Sequence, residues 1–324
     1  MFSAREHLKE RLSGLNTKIN ETLDFDFSAV SKNIDTIEEF DQEIMQDFLE
    51  GKQLFYRGER INDPSRNLLP TLLRKPDELF KNNDLGLIHI DSDYIYNYYS
   101  SLGSFVDVFH NTMGKADADN LYDICAFAQH YYHSSPLIDF TKSVYPALSF
   151  ALKDRERFDD DIILYVLELK NNEDYTTDIN TANQWLKDLD IYVSCATEKD
   201  VRNVVKEIIE NKSLLMTDEF RKHMEQINTK PAPKAKLIDV PTNTRMKFQQ
   251  GVFLMLTDFQ LFNVKYFTKN IRDHFTVTKF IINKDICPQI LKLIQKNAPW
   301  YSFKYLTDVE AAFKIAVDEN ISRL

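Results

Sequence analysis

Glycine is scarce in this chain. Seven occur in 324 residues, where average usage of roughly 7% would place about three times as many. That argues against collagen-like repeats, glycine linkers and phosphate-cradling loops, and no Gly-x-Gly-x-x-Gly or Walker pattern occurs. Cysteine is scarcer still. Cys125, Cys195 and Cys287 are odd in number, far apart and include no Cys-x-x-Cys pair. A disulfide framework or zinc site is therefore not expected, and a reducing cytoplasm fits best. No run of eighteen apolar residues is present, so no bilayer-spanning helix is expected. Met1 to Glu21 alternates charge with leucine, unlike a secretory signal. Excess positive charge is missing too: 40 Lys and Arg face 50 Asp and Glu, a net charge of -10. That disfavours a broadly basic nucleic-acid binder but leaves room for a local basic groove. No His-Glu-x-x-His, paired Cys/His spacing or Gly-x-Ser-x-Gly elbow is found, so no metal site or serine-hydrolase elbow is expected.

What is present is a real core, with 43% hydrophobic and 12% aromatic residues. Leu8, Leu12, Leu15 and Ile19 fall at helical spacing. Thr36, with Glu39 three residues on, forms a capping box ahead of Phe40, Ile44 and Phe48, and that helix should end near Gly51. Strands are expected at Gln53 to Gly58, Leu137 to Thr141, Asp161 to Leu169, Leu237 to Val240, Gly251 to Leu256 and Thr276 to Ile282. The run at Asp161 to Leu169 is apolar enough to be central. Helices are expected at Ala118 to Tyr131, Val144 to Arg155, Asp285 to Gln295 and Asp308 to Val317; the tyrosine-rich stretch Ile88 to Ser100 also reads as helical. Asn171 to Lys230 turns polar and helix-rich. The sum is an α+β protein whose sheet is interrupted by a helical insertion.

The most informative stretch runs from Ala128-Gln129-His130-Tyr131 through Ser134-Ser135-Pro136 to Leu137-Ile138-Asp139-Phe140-Thr141. It sets imidazoles, hydroxyls and a carboxylate directly against an apolar run, Val144 to Leu152. Three sets of residues carry a family resemblance. Phe55-Tyr56-Arg57-Gly58, followed by Leu69-Pro70-Thr71-Leu72-Leu73-Arg74, resembles the opening of the FRG domain. Gln129-His130, the Leu137 to Thr141 strand and Ala147-Leu148-Ser149-Phe150-Ala151 resemble its second signature. Arg245 with Gln249-Gln250-Gly251-Val252-Phe253 resembles its third. The chain departs from that pattern in the turn: Tyr132 stands where a glycine is usual, and Ser135 and Pro136 where a threonine and a basic residue are.

The layout of the FRG domain is in turn similar to that of ADP-ribosyltransferases. The resemblance implies an ADP-ribosyltransferase-like split sheet flanked by helices, arranged as an N-terminal helical segment (1–35), an FRG-like domain (36–170), a helical insertion (171–235) and strands and helices completing the fold (236–324). It implies NAD as substrate, no metal, no membrane, and a protein, nucleic-acid or water acceptor for an effector in microbial conflict, as toxin or in anti-phage defence. The carried-over catalytic residues are Arg57, His130 and Gln250, and the nucleotide-binding residues are Tyr56, Arg57, Gly58, Asp139 and Thr141. The alternative is a non-catalytic nucleotide- or nucleic-acid-sensing module.

The residues themselves leave alternative readings open at these positions. Arg57 either grips a phosphate or ribose oxygen through its fork of donors or pairs with a carboxylate such as Asp139 to lock two strands. Gly58 lets a ligand approach the backbone. His130 contacts a ribose hydroxyl, acts as an acid or base near neutral pH, or caps a helix. Asp139 is either buried and paired or at a cleft floor, and Thr141 either caps the following helix or meets the ligand. Gln250 can hydrogen-bond a ribose hydroxyl but cannot act as a carboxylate base.

Overall fold

The computed structural model describes residues 31–62, 137–153, 158–186, 235–256 and 273–302, with shorter stretches and single positions at 68, 70, 80–82, 88–90, 122–123, 125–126, 129, 135, 271, 306 and 308. Strand β1 (Ser31–Ile34) leads into a helical stretch α1, built of Ile37–Phe40, a π-helical turn Asp41–Met45, and Gln46–Leu49. The capping box forms. Thr36 Oγ1 accepts from Glu39 N–H at 3.2 Å, while the Glu39 carboxylate accepts from Thr36 N–H at 3.2 Å and Asp35 N–H at 2.8 Å. Gly51 takes φ +73 just beyond the helix end, a backbone conformation that costs glycine little.

The remaining strands are β2 (Leu54–Glu59), β3 (Phe80–Asn82), β4 (Ile88–Ile90), β5 (Leu137–Thr141), β6 (Ile162–Leu169), β7 (Tyr175–Thr176), β8 (Ala235–Ile238), β9 (Gly251–Leu256) and β10 (Phe275–Ile282). Helices α2 (Val144–Ala151), α3 (Thr244–Phe248) and α4 (Cys287–Asn297) lie between and after them. Eight strands share one mixed sheet in the order β1-β10-β6-β2-β5-β9-β8-β7, and β3 pairs with β4 separately. The helical expectation for Ile88 to Ser100 is therefore corrected over Ile88–Ile90, which pairs antiparallel with Phe80–Asn82. The expected helices at residues 4–23 and 308–317, and residues 187–234 of the insertion, fall largely or wholly outside the described residues.

Apolar cores lie on both sides of the sheet. One packs α1, α2 and α4 against Leu54, Tyr56, Ile162, Leu164, Phe280 and Ile282. The other sets Tyr122, Cys125, Ala126, Ala182, Leu186 and Ile271 against Phe55, Tyr165, Leu167, Phe253 and Val277. The two-residue period of β2 thus sends Leu54 and Tyr56 to one face and Phe55 to the other. The sheet is also strongly curved. Asp174, just before β7, accepts from Lys236 of β8 at 2.9 Å and contacts His274, next to β10, at 2.6 Å, although β8 and β10 are five places apart in strand order. Among the described residues no helix is long and apolar enough to cross a membrane.

Candidate functional site

The sheet is thinnest between β2 and β5. Every other neighbouring pair in it is joined over two or more residue pairs, whereas β2 and β5 share one, Tyr56↔Thr141. Beyond that pair the strands part. The Arg57 guanidinium reaches into the gap, and its Nη1 donates to the Asp139 backbone carbonyl at 2.8 Å. A side chain thus supplies a bond to a carbonyl at the point where the ladder gives out, as a part-buried acceptor requires.

A cavity of about 300 Å³ opens at this seam. Tyr56, Arg57, Gly58, Glu59 and Arg60 line one side; Asp139, Phe140, Thr141, Gly251, Val252 and Phe253 line the other; Gln129, Ala147, Phe150, Arg245, Met246 and Gln249 complete it. Of the residues singled out in the sequence, Tyr56, Arg57, Gly58, Asp139 and Thr141 are therefore brought together. His130 lies outside the described residues.

Arg57 is heavily engaged. Its Nε and Nη2 donate to Glu59 Oε1 at 2.8 and 2.6 Å, and its Nη1 lies 3.9 Å from Asp139 Oδ2. Burial alone would lower its pKa, but the carboxylates of Glu59 and Asp139 outweigh burial and hold it above its ordinary value. Glu59 and Arg57 are each only 12% exposed, whereas the Asp139 side chain is 45% exposed. Gln129 Nε2 donates to Asp139 Oδ2 at 2.6 Å. Asp139 is thereby held from one side by an amide and faced from the other by a guanidinium, and it stays open to the cavity.

Gly58 is explained by packing. A Cβ there would fall 1.8 Å from the Ala147 carbonyl oxygen, so glycine is what allows α2 to lie against β2. The helix fills the space on the Cβ side of Gly58, while Gly58 itself lines the cavity. The Thr141 hydroxyl donates to the Gln249 carbonyl at 2.7 Å and accepts from Ser143 N–H at 3.1 Å, tying β5 to the α3–β9 turn and to the start of α2. Ser135 is buried; its hydroxyl donates to the Cys125 carbonyl at 3.3 Å and accepts from Leu137 N–H at 3.1 Å, joining the helical residues that carry Gln129 to β5.

Gln250 points elsewhere. It takes φ +51, a left-handed turn that closes α3 and starts β9 at Gly251. Its side-chain amide donates to the Tyr301 hydroxyl at 2.9 Å, and the cavity wall is formed by its neighbour Gln249. Gln249 Nε2 in turn donates to the Leu306 carbonyl at 2.8 Å.

The cavity residues that residue-by-residue reading missed include Glu59, Arg60, Gln129, Phe150, Arg245, Met246 and Gln249. Gln129, Phe150, Arg245 and Gln249 were in view as parts of the second and third signatures. Three cavity-lining residues carry a buried polar atom with no hydrogen-bond partner among the described residues: Tyr56 at its hydroxyl, Gln129 at Oε1 and Arg245 at Nε. The Gln129 oxygen is an acceptor and the Arg245 nitrogen a donor, so the wall holds polar groups of both kinds.

The FRG domain family model matches residues 52–160. No curated protein and no solved structure matches the chain. The matched span takes in β2, β5 and α2, so the two lips of the seam and the helix packed against it lie in the part of the chain that matches the FRG domain.

Proposed function

We propose that the seam cavity binds the nicotinamide-ribose half of NAD and promotes scission of its glycosidic bond, so that the chain acts as an ADP-ribosyltransferase or NAD glycohydrolase. One observation carries this reading: an oriented, accessible carboxylate, Asp139, sits beside cationic side chains in a bounded cavity. Ligand pockets run from roughly 300 to 1,000 Å³, and at about 300 Å³ this one suits a nucleoside-sized half of a dinucleotide. The remainder would extend outward past Arg60 and Arg245. Among the described residues no carboxylate pairs with either of those two, which leaves their charge for the pyrophosphate.

In the reaction, the bond between ribose C1′ and the pyridinium nitrogen breaks, and its electron pair leaves with nicotinamide. The positive charge that develops on the ribose is stabilised by Asp139, whose position is set before the substrate arrives. A hydroxyl, carboxylate or water then adds to C1′, and a nucleophile bearing a proton loses it to solvent. Arg57 holds the seam open and aligns Asp139. Loss of NAD from a cell arrests growth, and this is how such an activity would serve a toxin or an anti-phage effector.

A sensing module is favoured by a single feature. The β9 side of the cavity presents the Gln249 amide, already bonded to Leu306, where a transferase site uses a carboxylate. Incubating the purified chain with NAD labelled in its nicotinamide separates the readings. Free nicotinamide is expected, falling by about 100-fold or more in Asp139→Asn, the scale of losing an oriented charge-stabilising group. Binding without release indicates the sensor, and neither binding nor release refutes the NAD reading.

A further inference from the structure

Gln129 sits among the helical residues Tyr122, Asp123, Cys125, Ala126 and Gln129 and lines the cavity. Its Nε2 donates to Asp139 Oδ2 at 2.6 Å. That bond decides the orientation of the amide, because the flipped form would press its carbonyl oxygen against a carboxylate oxygen. The other end, Oε1, is therefore firmly an acceptor. It is buried and has no hydrogen-bond partner among the described residues. A part-buried amide that is satisfied at one end and bare at the other, in a cavity wall, lacks one N–H or O–H donor.

We propose that Gln129 Oε1 accepts an N–H from the carboxamide of the bound nicotinamide, so that Gln129 is a specificity-determining residue selecting nicotinamide over nicotinate dinucleotides. This rests on the NAD reading and adds which end of the ligand meets which residue. A carboxamide offers the missing donor. A nicotinate carboxylate offers none, and it would set a negative charge against Oε1 on an amide whose other end already serves Asp139. Asp139 and Gln129 are then one device: the carboxylate fixes the amide, and the amide fixes the pyridine ring next to the carboxylate that meets the ribose.

The test is equilibrium binding by the full chain of NAD, of its nicotinic-acid analogue, and of its hypoxanthine analogue, which is altered only at the adenine. Wild type is expected to bind NAD more tightly than the nicotinic-acid analogue by about 5- to 150-fold, the range for leaving one buried polar group unpaired. It should bind NAD and the hypoxanthine analogue alike. Gln129→Met, close in shape but without the amide, should bring the nicotinamide preference to within about threefold, with thermal unfolding confirming that the variant folds. Equal binding of NAD and the nicotinic-acid analogue by wild type overturns the inference, as does a preference that survives in Gln129→Met. Discrimination against the hypoxanthine analogue instead places adenine at Gln129, overturning the inference while the NAD reading stands. If none of the three binds, both fall together.

Discussion

Gly58→Ala distinguishes a packing glycine from one kept clear for a ligand. The added Cβ would lie 1.8 Å from the Ala147 carbonyl oxygen, 2.8 Å from its carbon and 3.0 Å from Ala151 Cβ. Ordinary contact begins at 3.4 Å, so α2 and β2 would have to part by about 1.6 Å, the difference between 3.4 and 1.8 Å. The obstruction is helix backbone, which no rotamer change can relieve, and the helix is held by Val144, Ala147, Leu148 and Ala151 in the core. Overpacking of this kind costs about 1–3 kcal/mol and occasionally more; a backbone clash belongs at the upper end, near 3 kcal/mol. At roughly 2–4 °C per kcal/mol for chains of a couple of hundred residues, the midpoint of thermal unfolding should fall by about 5 °C or more. Urea unfolding should show a lower midpoint with an unchanged slope. Adding Ala151→Gly should not restore stability, since it removes only the 3.0 Å contact. A variant as stable as wild type would refute the packing account and return Gly58 to the ligand.

Glu59→Gln removes the carboxylate that receives Arg57 Nε and Nη2 while leaving the guanidinium largely buried. A loss of about 3 kcal/mol is expected in denaturant unfolding, the low end for stranding one partner of a buried pair. Asp174→Asn, facing Lys236 of β8 and His274 beside β10, should cost about 3–5 kcal/mol on the same grounds. Lys279 is buried, donates to Asn62 Oδ1 at 2.7 Å, and has its pKa lowered by burial. Between its folded pKa and the unfolded value near 10.5 the unfolded chain binds more protons, so this residue's contribution to stability rises with pH. Lys279→Met should therefore be more stable than wild type at neutral pH, and its advantage should shrink as pH approaches 10.5 in paired melts.

Strands with a clear pattern were legible in the sequence. The apolar run at Asp161 to Leu169 is β6, flanked by β10 and β2. The capping box at Thr36 and Glu39 and the stop at Gly51 form as the residues suggest. β1 was not legible: Ser31-Lys32-Asn33-Ile34 has little strand character, and it exists because β10 offers a parallel edge. Tertiary context likewise makes a strand of Ile88–Ile90 through its pairing with Phe80–Asn82. In the site, the motif located Arg57 and Asp139 but not the way they are spent. Glu59, two residues from Arg57, is a partner that strand periodicity could have named, since the two share a face. Which of Gln249 and Gln250 would face the cavity was not readable, because the answer turns on the positive φ at Gln250.

The most direct measurement is a structure of the chain determined with NAD bound. The account predicts the nicotinamide-ribose half between β2, β5 and β9, with ribose C1′ beside the Asp139 carboxylate and the carboxamide nitrogen within hydrogen-bonding distance of Gln129 Oε1. A dinucleotide seated on any other surface, with the seam cavity filled only by water, would contradict it.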